Sequence, residues 1–327
     1  MLRIHVTGED LARIRLADRP DPMWETVLSS LRFRDRRGPA SYGRWRGQVR
    51  GRLRALPHTL RALIPLGGYF PDFLTPVTAG ADWEERVDRL RSTPRRQLRA
   101  EMLTLDAESA VALPGWVREL ADGEREILDK VAGDLDRYYR SAVAPPGIWS
   151  AVQTQVDADR ALRIRHLTSG GIEGLLHGLR PVLRWESPVL EADYPVPREL
   201  RLDGRGLLLI PSFFCWRHPV TFYDDGPNPV LVYPIQHTVS TLPDSAALGR
   251  LIGATRARVL RCVGHGATTG DLARRAGISA ASASEHAGVL REAGLVLSVR
   301  RGNEVLHTLT PLGTELLPTH ALGADQW

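Results

Sequence analysis

The sequence predicts an α+β protein, with a mostly helical N-terminal region that carries a small antiparallel sheet and a separate C-terminal domain. Apolar residues recur at helical spacing up to about residue 180. Short β-rich runs divided by Pro, Gly and Asp then occupy residues 181–240, and helical spacing returns before one alternating hairpin. We therefore expect a first domain at 1–240, a second at 241–317 and a tail at 318–327.

The helical region contains recognisable helix starts. Residues 2–6 alternate and predict a short strand, and Thr7 with Asp10 forms a capping-box pattern for the helix that follows. Pro22 suits the first turn of the next helix. Further amphipathic helices are predicted at 82–90, 94–105, 123–143 and 148–166.

Residues 32–61 are dense in arginine, with Asp35 the only acidic residue among them. One interpretation is a second surface that binds DNA or phosphate, with Tyr42 and Trp45 interleaved. The other is a solvated helix face whose arginines pair with acidic residues downstream, such as those at 82–88, 124–126 and 134–136. We favour the solvated face.

The β-rich region predicts an antiparallel sheet from runs at 188–192, 199–202, 206–211, 220–223 and 230–234. Leu207–Ile210 lacks alternation, which is typical of a strand buried on both faces. Cys215 and His218, with acidic residues at 224 and 225, could form a nucleophile and base or a metal site. The aromatic residues around Cys215 favour a buried structural thiol instead.

Residues 269–309 combine four local signals. Thr269 is an N-cap candidate for one helix, and Gly277 and Ser279 provide a turn and the cap of a second helix near 279–293. Gly294 suits the end of that helix, and an alternating hairpin near 295–310 turns at 301–303. Helix, turn, helix and cationic hairpin in this order predict a winged helix-turn-helix.

Residues 248–310 resemble the DNA-binding domain of ArsR-type bacterial repressors. The stretches LGRLIGATRARVLRCV and ISAASASEHAGVLREAGLV carry this resemblance to the first helices and the recognition helix. The sequence departs from the family in two places: the cysteine pair of metal-sensing members is absent at 263–266, and Glu285 stands where a basic residue is common.

The N-terminal region resembles an uncharacterised domain found ahead of ArsR-like winged helices in high-GC bacteria. The segments RIHVTGEDLARIRLA and PMWETVLSSL and residues 206–233 carry this similarity. No activity is implied by it.

The predicted DNA contacts follow from the outward positions of the second helix and from the hairpin tip. Short polar side chains on the helix are expected at base edges, and the hairpin arginines at the adjacent backbone or minor groove. The predicted contact residues are Thr269, Ser279, Ser282, Ser284, Glu285, His286, Arg291, Arg300, Arg301 and Asn303.

Composition excludes several classes of protein. Two cysteines are too few for a disulfide framework or a thiol metal site, and Glu315 with His320 forms only a weak alternative pair for a metal. Phosphate-binding glycine loops and nucleophile elbows are absent from the sequence. We expect no catalytic residues, no metal and no cofactor, and a cytoplasmic protein without a membrane span.

The net charge of +5 permits nucleic-acid binding without demanding it. Lys130 is the only lysine, and a GC-rich coding sequence explains the preference for arginine. Two functions remain: a transcriptional repressor with a sensory and dimerising domain at 1–240, or an enzyme there whose winged helix serves protein–protein contact. The polar helix face and the hairpin arginines favour the repressor, since a protein-binding surface more often exposes an apolar patch. Its expected partners are double-stranded DNA, a second copy of the chain and an apolar small-molecule effector.

Overall fold

The computed structural model describes residues 1–76, 80–222, 229–237, 245–264, 266–302 and 304–317. The chain divides into two compact units, Met1–Thr238 and Val239–Trp327. The predicted tail at 318–327 lies outside the described residues.

The N-terminal unit is built from nine α-helices among its described residues. The predicted helix starts are confirmed at Thr7, whose side chain and Asp10 form a capping box, and at Pro22 in a first turn. The helices are α1 (Gly8–Arg13), α2 (Pro22–Arg34), α3 (Pro39–Arg50), α4 (His58–Leu63), α5 (Trp83–Arg91), α6 (Arg95–Glu108), α7 (Trp116–Ala121), α8 (Arg125–Ala142) and α9 (Pro146–His177). The range of α9 exceeds the predicted 148–166 because it includes two helical segments, which are separated by a kink at Gly170 and Gly171 where the backbone is not helical.

Eight short strands form two four-stranded sheets in the described part of this unit. They are β1 (Leu2–His5), β2 (Arg15–Leu16), β3 (Leu183–Glu186), β4 (Val189–Ala192), β5 (Arg198–Arg201), β6 (Leu208–Ser212), β7 (Val220–Thr221) and β8 (Val230–Pro234). The strand orders are β3-β4-β1-β5 and β2-β6-β8-β7.

The predicted single antiparallel sheet is wrong. Strand β1 pairs in parallel with β5, and β6 pairs in parallel with both β2 and β8. Strands β1 and β2 each join a sheet whose other strands come from residues 183–234. Each sheet therefore contains both parallel and antiparallel strand pairs. Alternation and apolar runs identify a strand but contain no information about the direction of its neighbour.

Strands β6 and β8 are buried on both faces, as the unbroken apolar run at 207–210 predicted. Ile210 and Val232 face a helical core, whereas Leu209 and Tyr233 face a second core against the other sheet. The parallel register from Leu208–Val230 to Ser212–Pro234 keeps these alternate positions aligned.

A buried carboxylate fixes the turn that follows β6. Glu25 of α2 is fully buried and accepts hydrogen bonds from the Ser212 hydroxyl at 3.0 Å and from the backbone N–H groups of Phe213 at 2.7 Å and Phe214 at 3.0 Å. Burial raises the pKa of Glu25 to about 7, and the three donors oppose that shift. The side chain therefore joins the helical layer to the sheet.

The acidic residues expected to balance the arginines at 32–61 have other partners. Asp82 and Glu85 cap α5, Asp88 pairs with Arg91, and Asp136 pairs with Arg140. Asp134 accepts from Thr59 and pairs with Arg137, and Glu84 pairs with Arg140. The predicted long-range pairing is therefore wrong for these carboxylates, because nearer partners lie on their own or adjacent helices.

The C-terminal unit has the helix and hairpin order that the sequence predicted. It contains α10 (Ser245–Ile252), α11 (Ala254–Val263), β9 (Ala267–Thr268), α12 (Thr269–Ala276), α13 (Ala280–Glu292), β10 (Val296–Arg301), β11 (Glu304–Leu309) and α14 (Pro311–Glu315). The three strands form one antiparallel sheet in the order β10-β11-β9. Its core joins α11, α12 and α13 through residues such as Leu260, Leu272 and Leu290.

Candidate nucleic-acid interface

The start of α12 differs by one residue from the prediction. Thr268 is the N-cap, and it forms a capping box with Asp271. Thr269 is instead the first helical residue, half-buried, with its hydroxyl 3.0 Å from Nε2 of His307. Two adjacent threonines made the assignment ambiguous, because only the backbone conformation distinguishes a cap from a first-turn residue.

The turn between α12 and α13 is formed as the sequence predicted. Gly277 adopts a left-handed conformation with φ of 60°, which favours glycine. Ser279 caps α13 by accepting from the backbone N–H of Ser282 at 3.1 Å, and the two hydroxyls lie 3.0 Å apart. The polar groups at this helix start are therefore engaged with each other, although Ser279 itself is exposed.

Helix α13 packs tightly because its inward residues are small. Ala283, Ala287 and Leu290 are buried at helical spacing, as predicted. Glu285 lies opposite this stripe and is exposed. A helix with such a narrow inner face leaves most of its circumference open to solvent.

The open surface of α13 has two flanks, separated by Glu285. Ser284 and Arg291 lie on one flank, and both are exposed. Ser282 and His286 lie on the other flank, and both are half-buried. The predicted contact residues on this helix therefore do not form a single face; they surround a central carboxylate.

The wing is a regular hairpin whose strands pair from Val296–Leu309 to Arg301–Glu304. Gly302 lies at the turn with φ of 58°, and Arg300 is exposed one step before the tip. Arg301 ends β10, but its side chain and Asn303 lie outside the described residues. Arg300 thus has the exposure that a phosphate contact requires.

His307 connects the wing to the helix-turn-helix, and the sequence did not indicate it. It is 4% exposed, its Nδ1 lies 2.8 Å from the Ser298 hydroxyl, and its Nε2 is hydrogen-bonded to the Thr269 hydroxyl. Burial, and after it the charge of Arg291, lowers the pKa of His307, which favours a neutral ring. A neutral ring has one donor and one acceptor nitrogen, and hydroxyl groups can satisfy both. Only the alternation of β11, which places residue 307 on the inner face, could have suggested it.

The opposite face of the wing exposes apolar surface that was not predicted. Leu297 is 58% exposed and Val299 is 59% exposed. Both alternate with Ser298 and Arg300, so they lie on the other face of β10. Exposed apolar surface of this kind is more typical of a protein-binding face.

The electrostatic balance of this unit is mildly basic. Residues 239–327 contain nine arginines against seven acidic residues, an excess of +2. Asp271 is already paired with Arg274 on α12. The excess is compatible with phosphate contacts, which are a major source of protein–DNA affinity.

The other chemical candidates in the described residues have structural roles. Cys215 is 1% exposed, its thiol donates to the His218 carbonyl at 3.3 Å, and burial raises its pKa. The His218 ring lies against Asp193 instead of the thiol. Within the described residues, no cluster of potential metal ligands occurs and no helix is long and apolar enough to cross a membrane. Residues 224 and 225, the Glu315 side chain and His320 lie outside the described residues.

Residues 253–299 match a family model described as a helix-turn-helix domain. The C-terminal unit carries a helix-turn-helix domain. The match begins at Gly253, immediately before α11, and ends within β10, so it includes both α12 and α13. A domain of this kind indicates a DNA-binding regulator. No curated protein and no solved structure matches the chain.

Proposed function

We propose that the protein is a transcriptional repressor of ArsR-like type that reads DNA with α13 and the wing. The observation that carries the proposal is the exposed, capped helix α13 on a helix-turn-helix, beside a hairpin whose tip carries arginine. Ser284 and His286 are assigned to base edges, and Arg300 and Arg301 to phosphates. Ser298, Thr269 and His307 hold the wing against the start of α12.

The proposed assembly is a homodimer on two half-sites. One winged helix contacts few base pairs, so useful affinity requires a second reader related by protein symmetry. Helix α10 supports this role because Leu251 is 75% exposed, whereas Leu248 on the same helix is buried. The N-terminal unit is assigned a sensory role for an apolar effector, with no metal and no catalytic step.

A second candidate function rests on the exposed Leu297 and Val299. An apolar sheet face of this kind suits contact with another protein. Since Arg300 lies on the other face of β10, DNA binding and protein contact through the wing are sterically compatible.

The wing assignment is tested by neutralising both of its arginines. The Arg300→Gln/Arg301→Gln variant should bind every duplex more weakly, because lost phosphate contacts reduce counterion release. We expect the slope of log K against log salt to fall in magnitude by about 1.8, roughly 0.9 per contact. Titrations of labelled duplex at several salt concentrations measure it.

The matched control removes the same charge from the N-terminal unit. Arg96 and Arg99 are exposed on α6, and Arg96→Gln/Arg99→Gln should leave the slope unchanged. An unchanged slope in the wing variant, or an equal loss in the control, would show that the wing does not hold phosphates.

A further inference from the structure

The segment that follows the buried Asp35 has an unusual charge composition. Residues 36–71 contain eight arginines and no acidic residue. A GC-rich coding sequence explains arginine in place of lysine, but it does not explain the missing carboxylates. Helices α5 and α8 of the same unit intersperse arginine with Asp and Glu. The positive charge of residues 36–71 is therefore not offset by any carboxylate within the segment.

The fold itself balances part of this charge. Arg46 is buried and lies 3.2 Å from Asp35, which also pairs with Arg32 at 2.8 Å. The Arg46 guanidinium further donates to the carbonyls of Arg32 and Arg37. These groups stabilise the start of α3 and are unavailable to a partner.

Seven arginines of the segment are exposed, and five of them are Arg36, Arg37, Arg50, Arg52 and Arg54. None of the five forms an ion pair with a carboxylate in the part of the chain that the structure describes. Four of the downstream acidic residues that could have balanced them, Glu84, Asp88, Asp134 and Asp136, are paired with Arg91, Arg137 and Arg140 instead. The charge on this surface is thus exposed to solvent.

The solvent face of α3 is flat as well as basic. Gly43, Gly47 and Gly51 recur every four residues along it, and all are exposed. A Cβ added at Gly43 or Gly47 would meet no atom within 4 Å, so the space above the helix is open. Arg50 borders this glycine track. A backbone without side chains allows a partner's backbone to approach closely.

The aromatic residues of α3 do not contribute to this surface. Tyr42 is fully buried and Trp45 is 6% exposed, so neither can stack on an unpaired base. Single-stranded nucleic acid is bound largely by such stacking. The surface is therefore better suited to the phosphate backbone of a duplex, which arginine contacts without reading sequence.

We propose that the glycine track of α3, together with Arg50, Arg52 and Arg54, binds the phosphate backbone of double-stranded DNA. This surface is a second nucleic-acid contact, in a unit separate from the helix-turn-helix, and the inference rests on the proposed DNA-binding function. It adds affinity that is independent of sequence and sensitive to salt.

The first test measures salt dependence with the full chain and a mixed-sequence duplex of about 30 base pairs, roughly three helical turns. The Arg50→Gln/Arg52→Gln/Arg54→Gln variant should reduce the slope magnitude by up to about 2.7, from three contacts. The control Arg96→Gln/Arg99→Gln/Arg118→Gln removes the same charge from exposed positions on α6 and α7 and should leave the slope unchanged.

The second test places a charge on the glycine track without disturbing the core. Gly47 has open space around it and an ordinary helical backbone, so Gly47→Glu and Gly47→Gln should both fold. We expect Gly47→Glu to weaken duplex binding more than Gly47→Gln, because only the carboxylate repels phosphates. Equal affinities for the two variants would overturn the inference.

The outcomes separate this inference from the proposed function. A slope that changes in the wing variant but not in the three-arginine variant overturns the α3 contact alone. Failure of the parent chain to bind any duplex overturns both. If the three-arginine variant loses binding to phosphatidylglycerol vesicles and keeps its DNA slope, the surface binds an anionic membrane and the inference is wrong.

Discussion

Replacing Glu25 with alanine is expected to destabilise the Met1–Thr238 unit by about 3 kcal/mol or more. The change leaves the Phe213 and Phe214 N–H groups and the Ser212 hydroxyl without their acceptor in a buried site. Each buried donor left unsatisfied costs about 1 to 3 kcal/mol, and the lost side chain adds a cavity. Urea unfolding of the full chain measures the loss.

The decrease in the free energy of unfolding caused by Glu25→Ala should depend on pH. Because burial raises the pKa of Glu25 from 4.5 to about 7, its ionisation favours the unfolded state. Its contribution to stability is fully present below pH 4.5 and is lost as the pH rises through about 7. The difference in the free energy of unfolding between the parent and the variant should therefore decrease between about pH 5 and about pH 8.

The control for this prediction is Glu25→Gln, which retains the shape of the side chain and one acceptor oxygen. Its stability should lie between those of the parent and Glu25→Ala. A Glu25→Ala protein as stable as the parent would show that the turn after β6 does not depend on this carboxylate.

Replacing Ala287 with glutamate is expected to unfold the C-terminal unit. Ala287 is 1% exposed within the core of that unit, so the variant must bury a carboxylate without a partner or expel α13. Either outcome costs several kcal/mol, which is comparable to the whole stability of a small domain. Hydrogen exchange of the full chain should show lost protection after residue 245 and unchanged protection in residues 1–237.

Ala281→Glu provides the matched control, since Ala281 is exposed on the same helix. It should leave the protection of the C-terminal unit unchanged, and a negative charge in the first turn is favourable there. Equal protection in the two variants would contradict the inward orientation of Ala287.

The local features of the C-terminal unit were predictable because each depends on neighbouring residues. The Ser279 cap, the Gly277 turn and the Ala283–Ala287–Leu290 stripe follow from spacing and residue type alone. His307 could not be predicted in the same way. Its partners Thr269 and Ser298 come from separate elements, so their proximity depends on the tertiary fold.

The N-terminal unit shows the same limit more strongly. The helices were largely predictable from amphipathic spacing, but β1 and β2 pair with strands about 190 residues away. In the sequence, Glu25 resembles an ordinary surface residue of α2. Its role becomes apparent only in the fold, where the turn after β6 packs against it and donates hydrogen bonds to it. The interpretation of the arginine-rich segment changed for the same reason, since the partners of its candidate carboxylates are visible only in the fold.

The central claim is that α13 reads DNA, and the most direct measurement is a discrimination ratio. Affinities are measured for DNA from upstream of the protein's own gene and for a mixed-sequence duplex at one salt concentration. The parent should prefer the upstream DNA, and Ser284→Ala/His286→Ala should reduce that preference by about tenfold or more, since a good base contact is worth about 1 to 3 kcal/mol. The affinity of the Ser284→Ala/His286→Ala variant for the mixed-sequence duplex should equal that of the parent. A parent without preference, or a variant with the parent's ratio, would contradict the claim.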